Sequence, residues 1–237
     1  MDRGDSKFGH KFGGAHDRRG ADRNSCDGLL IHLLHRLNLD DPEVPISVPG
    51  IKWLPLYYVF DYRANELGYQ LLSDDEMTTF FPEDENIAGS EEWPFEDYPL
   101  EFPESSIIVS RYDYDPTEPK DAKNWAGIFG ISKLAEQEQE TMKSALAKRL
   151  VEIGYYKPET EEDLMEYLSE PLIQGRPDSS CLNPECSNFN HRKTLDIIAT
   201  ISPEPIAGLR LWGRMDVQLI YEMCPKCYTI RVSNQCT

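Results

Sequence analysis

The sequence predicts a β-rich α+β fold of antiparallel sheets, with two helices between its halves. Three observations lead there. Short runs rich in aromatic and β-branched residues recur along the chain, among them "IKWLPLYYVFDYR", "SSIIVSRY", "TLDIIATI", "DVQLIYEM" and "YTIRVS". Two central stretches, "SKLAEQEQETMKSALAKRLVEIG" and "TEEDLMEYLSEP", show helical spacing between start and stop signals. Two close cysteine pairs frame the last strands, Cys181 with Cys186 and Cys224 with Cys227.

In chain order, residues 1–28 are rich in Gly, Asp and Arg with few apolar side chains, and read as a flexible arm. Residues 29–237 read as a single α+β domain. Its parts are a first β unit over 29–72, an acidic segment rich in aromatics and proline over 73–130, a helical pair over 131–170, and a cysteine-bearing β unit over 178–237. In "CDGLLIHLLHRLNL", Leu30, Leu33, Leu34 and Leu37 fall at helical spacing, but a short apolar run also suits a buried strand. An internal repeat favours the strand. The apolar runs of "LLIHLLHRL…IKWLPLYYVF" parallel those of "LDIIATI…RMDVQLIYEM", as a duplicated β unit would. Aligning Phe60 with Met223 then puts Asp61 and Ala64 where the second copy has Cys224 and Cys227. Pro55 argues that its strand is not an interior one.

The helical stretches have conventional ends. Ser132 is placed to cap the first and Gly154 to stop it, with Met142, Leu146, Leu150 and Ile153 as its apolar stripe. Thr160 and Asp163 begin the second, and Pro171 follows it.

The chain has 237 residues, 40% hydrophobic and 28% charged, with a formal net charge of −18. It is long enough to bury a core without disulfides. The excess charge is concentrated: Asp74 to Asp121 holds sixteen carboxylates against Arg111 and Lys120 alone. Such a surface repels phosphate backbones, which disfavours nucleic acid as a partner of the whole chain. The same segment carries Phe80, Phe81, Trp93, Phe95, Tyr98 and Phe102, so it is expected to wrap over the body in extended pieces. No apolar run approaches the roughly 20 residues of a membrane span. The N-terminus lacks the apolar stretch of an export signal, so the expected compartment is the reducing cytosol. The "RGD" at Arg3–Asp5 is read as a chance tripeptide.

In that compartment paired cysteines favour metal over disulfide. Cys224-Pro-Lys-Cys227 is a turn whose two intervening residues let both thiolates face one point. Cys181 and Cys186 are separated by four residues, inside the usual ligand spacing, with Pro184 favouring a turn. The second pair lies between two strand-like runs, as in zinc ribbons, where a hairpin tip grips the metal. The expectation is a structural Zn²⁺ held by Cys181, Cys186, Cys224 and Cys227 in zinc-ribbon-like knuckles. His191 is a backup ligand; a redox pair at Cys224/Cys227 and plain buried thiols are the alternatives. Cys26 and Cys236 stand alone and read as buried or inert. The deaminase pattern of His-x-Glu with Pro-Cys-x-x-Cys is absent, since Met223 precedes Cys224.

This layout, with an early "KFGG", a strand followed by "LDDP" and a late "CPKCYTIRVSNQC", resembles the YwqG-like family of uncharacterised proteins. More distantly it resembles programmed cell death protein 2-like proteins, whose halves carry similar cysteine knuckles. The resemblance implies a β-rich α+β fold and protein binding or chaperone-like work, with no catalytic residues to transfer. It departs in the first half, which keeps only Cys26.

The expected function is a zinc-stabilised, non-enzymatic protein-binding module whose acidic surface takes a basic partner. One alternative is a carboxylate- or metal-dependent hydrolase using His32, His35 or the Asp113/Asp115 pair, which would share a strand face. Another is a nucleic-acid-binding zinc protein, using Arg192, Lys193, Arg210, Arg214, Lys226 and Arg231 around the knuckles. No phosphate-binding loop, nucleophile elbow or metalloprotease helix motif is present.

Overall fold

The structure, a computed structural model, describes residues 2–3, 6–16, 18–21, 29–60, 66–81, 99–109, 136–152, 179–192, 194–201, 211 and 217–236. The chain divides into two compact units where the sequence suggested one domain over 29–237. The first, Met1–Arg111 with Asp178–Cys236, contains all the described strands. The second, Tyr112–Pro177 with Thr237, contains one described helix, α1 (Glu136–Glu152). Glu136 and Glu138 lie in the first turn of α1, where the helix dipole favours carboxylates. Met142, from the expected apolar stripe, is buried. The helix expected over 160–170 falls outside the described residues, as do Ser132 and Ile153.

The strands are β1 (Asp2–Arg3), β2 (Lys11–Phe12), β3 (Ile31–Asn38), β4 (Trp53–Val59), β5 (Glu66–Leu71), β6 (Met77–Phe80), β7 (Ser105–Ile108), β8 (Asp196–Ile201), β9 (Val217–Met223) and β10 (Ile230–Cys236). They form two five-stranded antiparallel sheets. One has the order β1-β7-β2-β3-β4, the other β6-β5-β10-β9-β8. Pro55 lies on β4, an end strand of the first sheet, where a missing donor is tolerated.

The strand reading of Leu29–Leu37 holds, and its helical spacing has a local cause. The register of β3 against β4 shifts between Leu33 and His35, so Leu34 is an extra residue that breaks the two-residue alternation. The β8–β9 pair carries a comparable irregularity between Ile197 and Ala199. The two candidate repeats then part: β9 continues into β10 beside it, whereas β5 leaves β4 to pair with β6 and β10.

One apolar core joins the sheets. Leu34, Leu54, Leu56 and Tyr57 meet Leu67, Tyr69, Leu219, Tyr221, Ile230 and Val232. The rings of Tyr57 and Tyr69 pack edge to face at 5.5 Å. The Tyr69 hydroxyl donates to Pro55 O at 2.8 Å, so a fully buried phenol keeps a partner. Burial pushes that phenol well above its ordinary pKa, which keeps it a neutral donor. Asn234 Nδ2 donates to the Tyr58 hydroxyl at 2.6 Å, a second polar tie between the sheets.

The expected flexible arm is corrected. Within 1–28, the described residues are woven into the first unit: β2 lies between β7 and β3, and Phe12 is buried against Phe102 and His35. The "KFGG" turn explains how. Gly13 (φ 66°) and Gly14 (φ 92°) take left-handed conformations that glycine adopts without strain. A Cβ on Gly13 would lie 2.6 Å from Pro103 O. The "LDDP" loop holds the same segment from the other side. Buried His10 accepts the Asn38 N–H at Nδ1 (3.0 Å), which leaves Nε2 to donate to Asp41 Oδ2 at 2.7 Å. Burial alone would raise the Asp41 pKa, but the Glu43 N–H and His10 outweigh it and the carboxyl is held low. Arg18, also buried, donates to Ser73 O and to Trp53 O and pairs with Asp74 at 3.5 Å.

Two outcomes test this packing. Gly13→Ala is expected to destabilise the chain by about 2 kcal/mol, through the left-handed backbone and the collision with a main-chain oxygen; chemical denaturation measures it, and a change within about 0.5 kcal/mol would count against the packing of residues 6–16. The second concerns His35, whose pKa burial lowers to about 3. The unfolded chain takes up this proton near pH 6.5 while the folded chain does not, so stability is full above that pH and falls toward pH 3. The loss is about 1.4 kcal/mol per pH unit for this one proton. Urea titrations at pH 7 and 5 should show a steeper loss for the native chain than for His35→Phe; equal slopes would contradict a buried neutral His35.

Candidate metal centre

The second cysteine pair sits at the tip of the β9–β10 hairpin. Cys224 N–H donates to Thr229 O and Tyr228 N–H to Cys224 O, both at 2.9 Å. Tyr228 turns the chain with φ 59°, and Ile230 then pairs with Met223 to resume the ladder. The first pair lies in a turn before β8. Asn183 Oδ1 accepts the Glu185 N–H at 3.0 Å while Asn183 O accepts the Cys186 N–H, also at 3.0 Å. This side-chain turn brings the backbone round tightly enough for a four-residue spacing.

The two turns meet. One sulfur from each of Cys181, Cys186, Cys224 and Cys227 lies within 4.8 Å of the other three. Cys181 Sγ is 3.4 Å from Cys227 Sγ, and Cys186 Sγ is 3.7 Å from Cys224 Sγ. All four are free cysteines. A tetrahedral ion with bonds of about 2.3 Å to sulfur sets its ligands about 3.8 Å apart, near the two contacts of 3.4 and 3.7 Å. Cys181 and Cys224 are buried, and Cys186 and Cys227 are half-buried.

Burial pushes the Cys181 thiol well up, with the neighbouring Cys227 and Cys224 sulfurs adding to it. Cys186 is raised for the same reasons. Cys227 goes the other way: burial opposes ionisation, but the hydroxyl and N–H of Thr229 and the Cys181 and Cys186 thiols outweigh it. Cys181, Cys186, Cys224 and Cys227 would hold a divalent ion as thiolates, so its binding would release their protons. Polar donors stand ready around it. Asn188 N–H approaches Cys186 Sγ at 3.4 Å, Asn188 Nδ2 approaches Cys224 Sγ at 3.5 Å, and Thr229 Oγ1 lies 3.1 Å from Cys227 Sγ.

Strand β5 supports both turns from one face. Glu66, Gly68 and Gln70 alternate along it and therefore point the same way. Gln70 Nε2 donates to Cys227 O at 2.6 Å, and its Oε1 accepts from Asn183 Nδ2 at 3.3 Å, so one amide joins the two knuckles. Gly68 leaves room for Leu182, whose Cβ would sit 2.9 Å from an added methyl. Both oxygens of Glu66 accept from Arg231 Nη2, at 2.5 and 2.6 Å, and Arg231 Nη1 donates to Ser180 O at 3.2 Å. Buried Glu222 accepts from Ser179 Oγ at 2.7 Å. Sequence reasoning missed this support; the two-residue alternation in "ELGYQL" was the signal available.

The remaining residues singled out in the sequence lie elsewhere. His191 is exposed and outside the sulfur cluster. Cys26, Asp113 and Asp115 fall outside the described residues, and Cys236 ends β10. His32 and His35 are buried among aromatics, His32 between Phe60 and Phe102 with Nε2 3.0 Å from Pro99 O. Of the basic residues near the knuckles, Arg231 is committed to Glu66, Lys226 Nζ bonds Ser187 Oγ at 3.1 Å, and Arg192 is exposed. Lys193, Arg210 and Arg214 fall outside the described residues. An open hollow of about 320 Å³ is lined by Arg18, Arg36, Trp53, Asp74 and Asp75, but its Arg18 and Asp74 serve to hold the N-terminal segment. No helix among the described residues is long and apolar enough to cross a membrane.

The fold and site thus define a β-rich chain with a four-cysteine cluster able to bind a metal ion. No protein-family model, curated protein or solved structure matches the chain.

Gln70→Ala removes the amide that joins the knuckles and leaves the four sulfurs in place. Its metal affinity is expected to fall by about tenfold or more, the usual effect of losing an outer-shell contact. Competition against a chelator measures this, and an unchanged affinity would mean that β5 plays no part in holding the site.

Proposed function

We propose that the chain is a zinc-stabilised, non-enzymatic protein-binding module, an adaptor or chaperone-like protein with an acidic surface for a basic partner. The observation that carries this reading is the closed sulfur set. Four cysteines within 4.8 Å of one another would fill a tetrahedral coordination sphere, the arrangement of structural zinc sites, whereas catalytic sites leave a position open for water or substrate. Thiolate ligands at these spacings suit zinc, and the reading belongs to the reducing cytosol. The resemblance to YwqG-like proteins is part of the same proposal.

Charge supplies the partner class. The net charge of −18 favours encounter with a basic protein and repels polyanions. The hydrolase alternative loses support where His32 and His35 are buried among aromatics. The nucleic-acid alternative loses Arg231 to its pairing with Glu66.

The zinc-loaded chain, used as bait in nuclease-treated lysate, is expected to retain a basic protein that elutes by about 1 M salt, where the Debye length shrinks to about 3 Å. Retention of nucleic acid in untreated lysate, with no protein held after nuclease, would overturn the assignment.

A further inference from the structure

We propose that the four-cysteine centre is also a peroxide-responsive switch, in which the half-buried sulfurs of Cys227 and Cys186 are oxidised against the buried sulfurs of Cys181 and Cys224 on the opposite knuckle. The inference rests on the zinc reading above and adds regulation to that site. Two features of the geometry support it. Solvent reaches Cys186 and Cys227, whereas Cys181 and Cys224 are only 1% and 0% exposed. The sulfur contacts run between the knuckles: Cys227 lies 3.4 Å from Cys181, and Cys186 lies 3.7 Å from Cys224. Each accessible sulfur therefore has a protected partner across the gap, the arrangement of an attacking and a resolving cysteine.

The chemistry balances with hydrogen peroxide as oxidant. The Cys227 thiolate attacks one peroxide oxygen, the S–O bond forms as the O–O bond breaks, and the departing hydroxide is protonated to water. Cys181 then attacks the resulting sulfenic sulfur; the S–S bond forms, the S–O bond breaks, and a second water leaves. Cys186 and Cys224 repeat the sequence with a second peroxide. Two peroxides are reduced, four thiolates become two disulfides, four protons are consumed, and zinc leaves as Zn²⁺ with its oxidation state unchanged. The sulfurs close from 3.4 and 3.7 Å to about 2.05 Å, a movement within reach of side-chain rotation. The new bonds join the same two turns that the metal joined, so the hairpin tip of β9–β10 stays tied to the turn before β8.

The test uses the full zinc-loaded chain treated with hydrogen peroxide, zinc release being followed with a colour-forming chelator and disulfides by a non-reducing peptide map. The expected result is loss of the bound zinc, consumption of two peroxides per zinc, Cys181–Cys227 and Cys186–Cys224 linkages, and recovery of zinc binding after reduction. Zinc retained in excess peroxide would overturn the switch while leaving the zinc reading intact. So would disulfides formed within each knuckle, or sulfinic acids without disulfide. A chain carrying no zinc before treatment would overturn the zinc reading and the switch together.

Discussion

Four cysteine sulfurs within 4.8 Å of one another form a set able to hold a cation, and the approach of the two turns that carry them shapes one end of the second sheet. The sulfurs come from two turns far apart in sequence, one before β8 and one between β9 and β10. Each turn alone is a short irregular loop that buries little. Where their sulfurs meet, they rest on a single face of β5. Gln70 touches both knuckles, Gly68 makes room for Leu182, and Glu66 steers Arg231 to Ser180. The four-cysteine cluster and β5 are therefore tied by the same few side chains.

Charge pairing within the chain does comparable work on the first sheet. Carboxylates just before β6 and β7 meet the basic N-terminal residues: Lys11 pairs with Glu104 at 3.0 Å, Arg19 with Glu76 at 3.2 Å, and Arg18 with Asp74. The two more exposed pairs each contribute little, since solvent screens them. Arg18 differs, because its buried guanidinium also donates to two backbone carbonyls, Ser73 O and Trp53 O. The N-terminal segment is held by that network, by Phe12 and by the glycine turn after it.

The sequence made the strands and the sulfur cluster legible for a physical reason. Strand runs such as Val217–Met223 and Trp53–Val59 are buried almost throughout, so they appear as continuous apolar stretches. Ligand cysteines must come in turn-sized pairs, which leaves a fixed spacing on the page. Residues 6–16 and 18–21 look like a loose arm in sequence because their anchoring rests on one Phe, two glycines and buried polar groups, His10 and Arg18, which composition counts as solvated. The helical spacing in β3 came from the irregularity at Leu34. The polar face of β5 looked like an ordinary solvent face, because alternation reveals that Glu66, Gly68 and Gln70 share a side without revealing what covers it.

A bound metal ion, proposed to be zinc, would hold the knuckles and with them the fold. Metal content by mass spectrometry, on chain purified without added zinc or an affinity tag, tests it most directly when paired with circular dichroism before and after chelation. The account predicts about one zinc per chain, and loss of the β-sheet signal as the metal is stripped. A metal-free chain with four free thiols and an unchanged spectrum would contradict it.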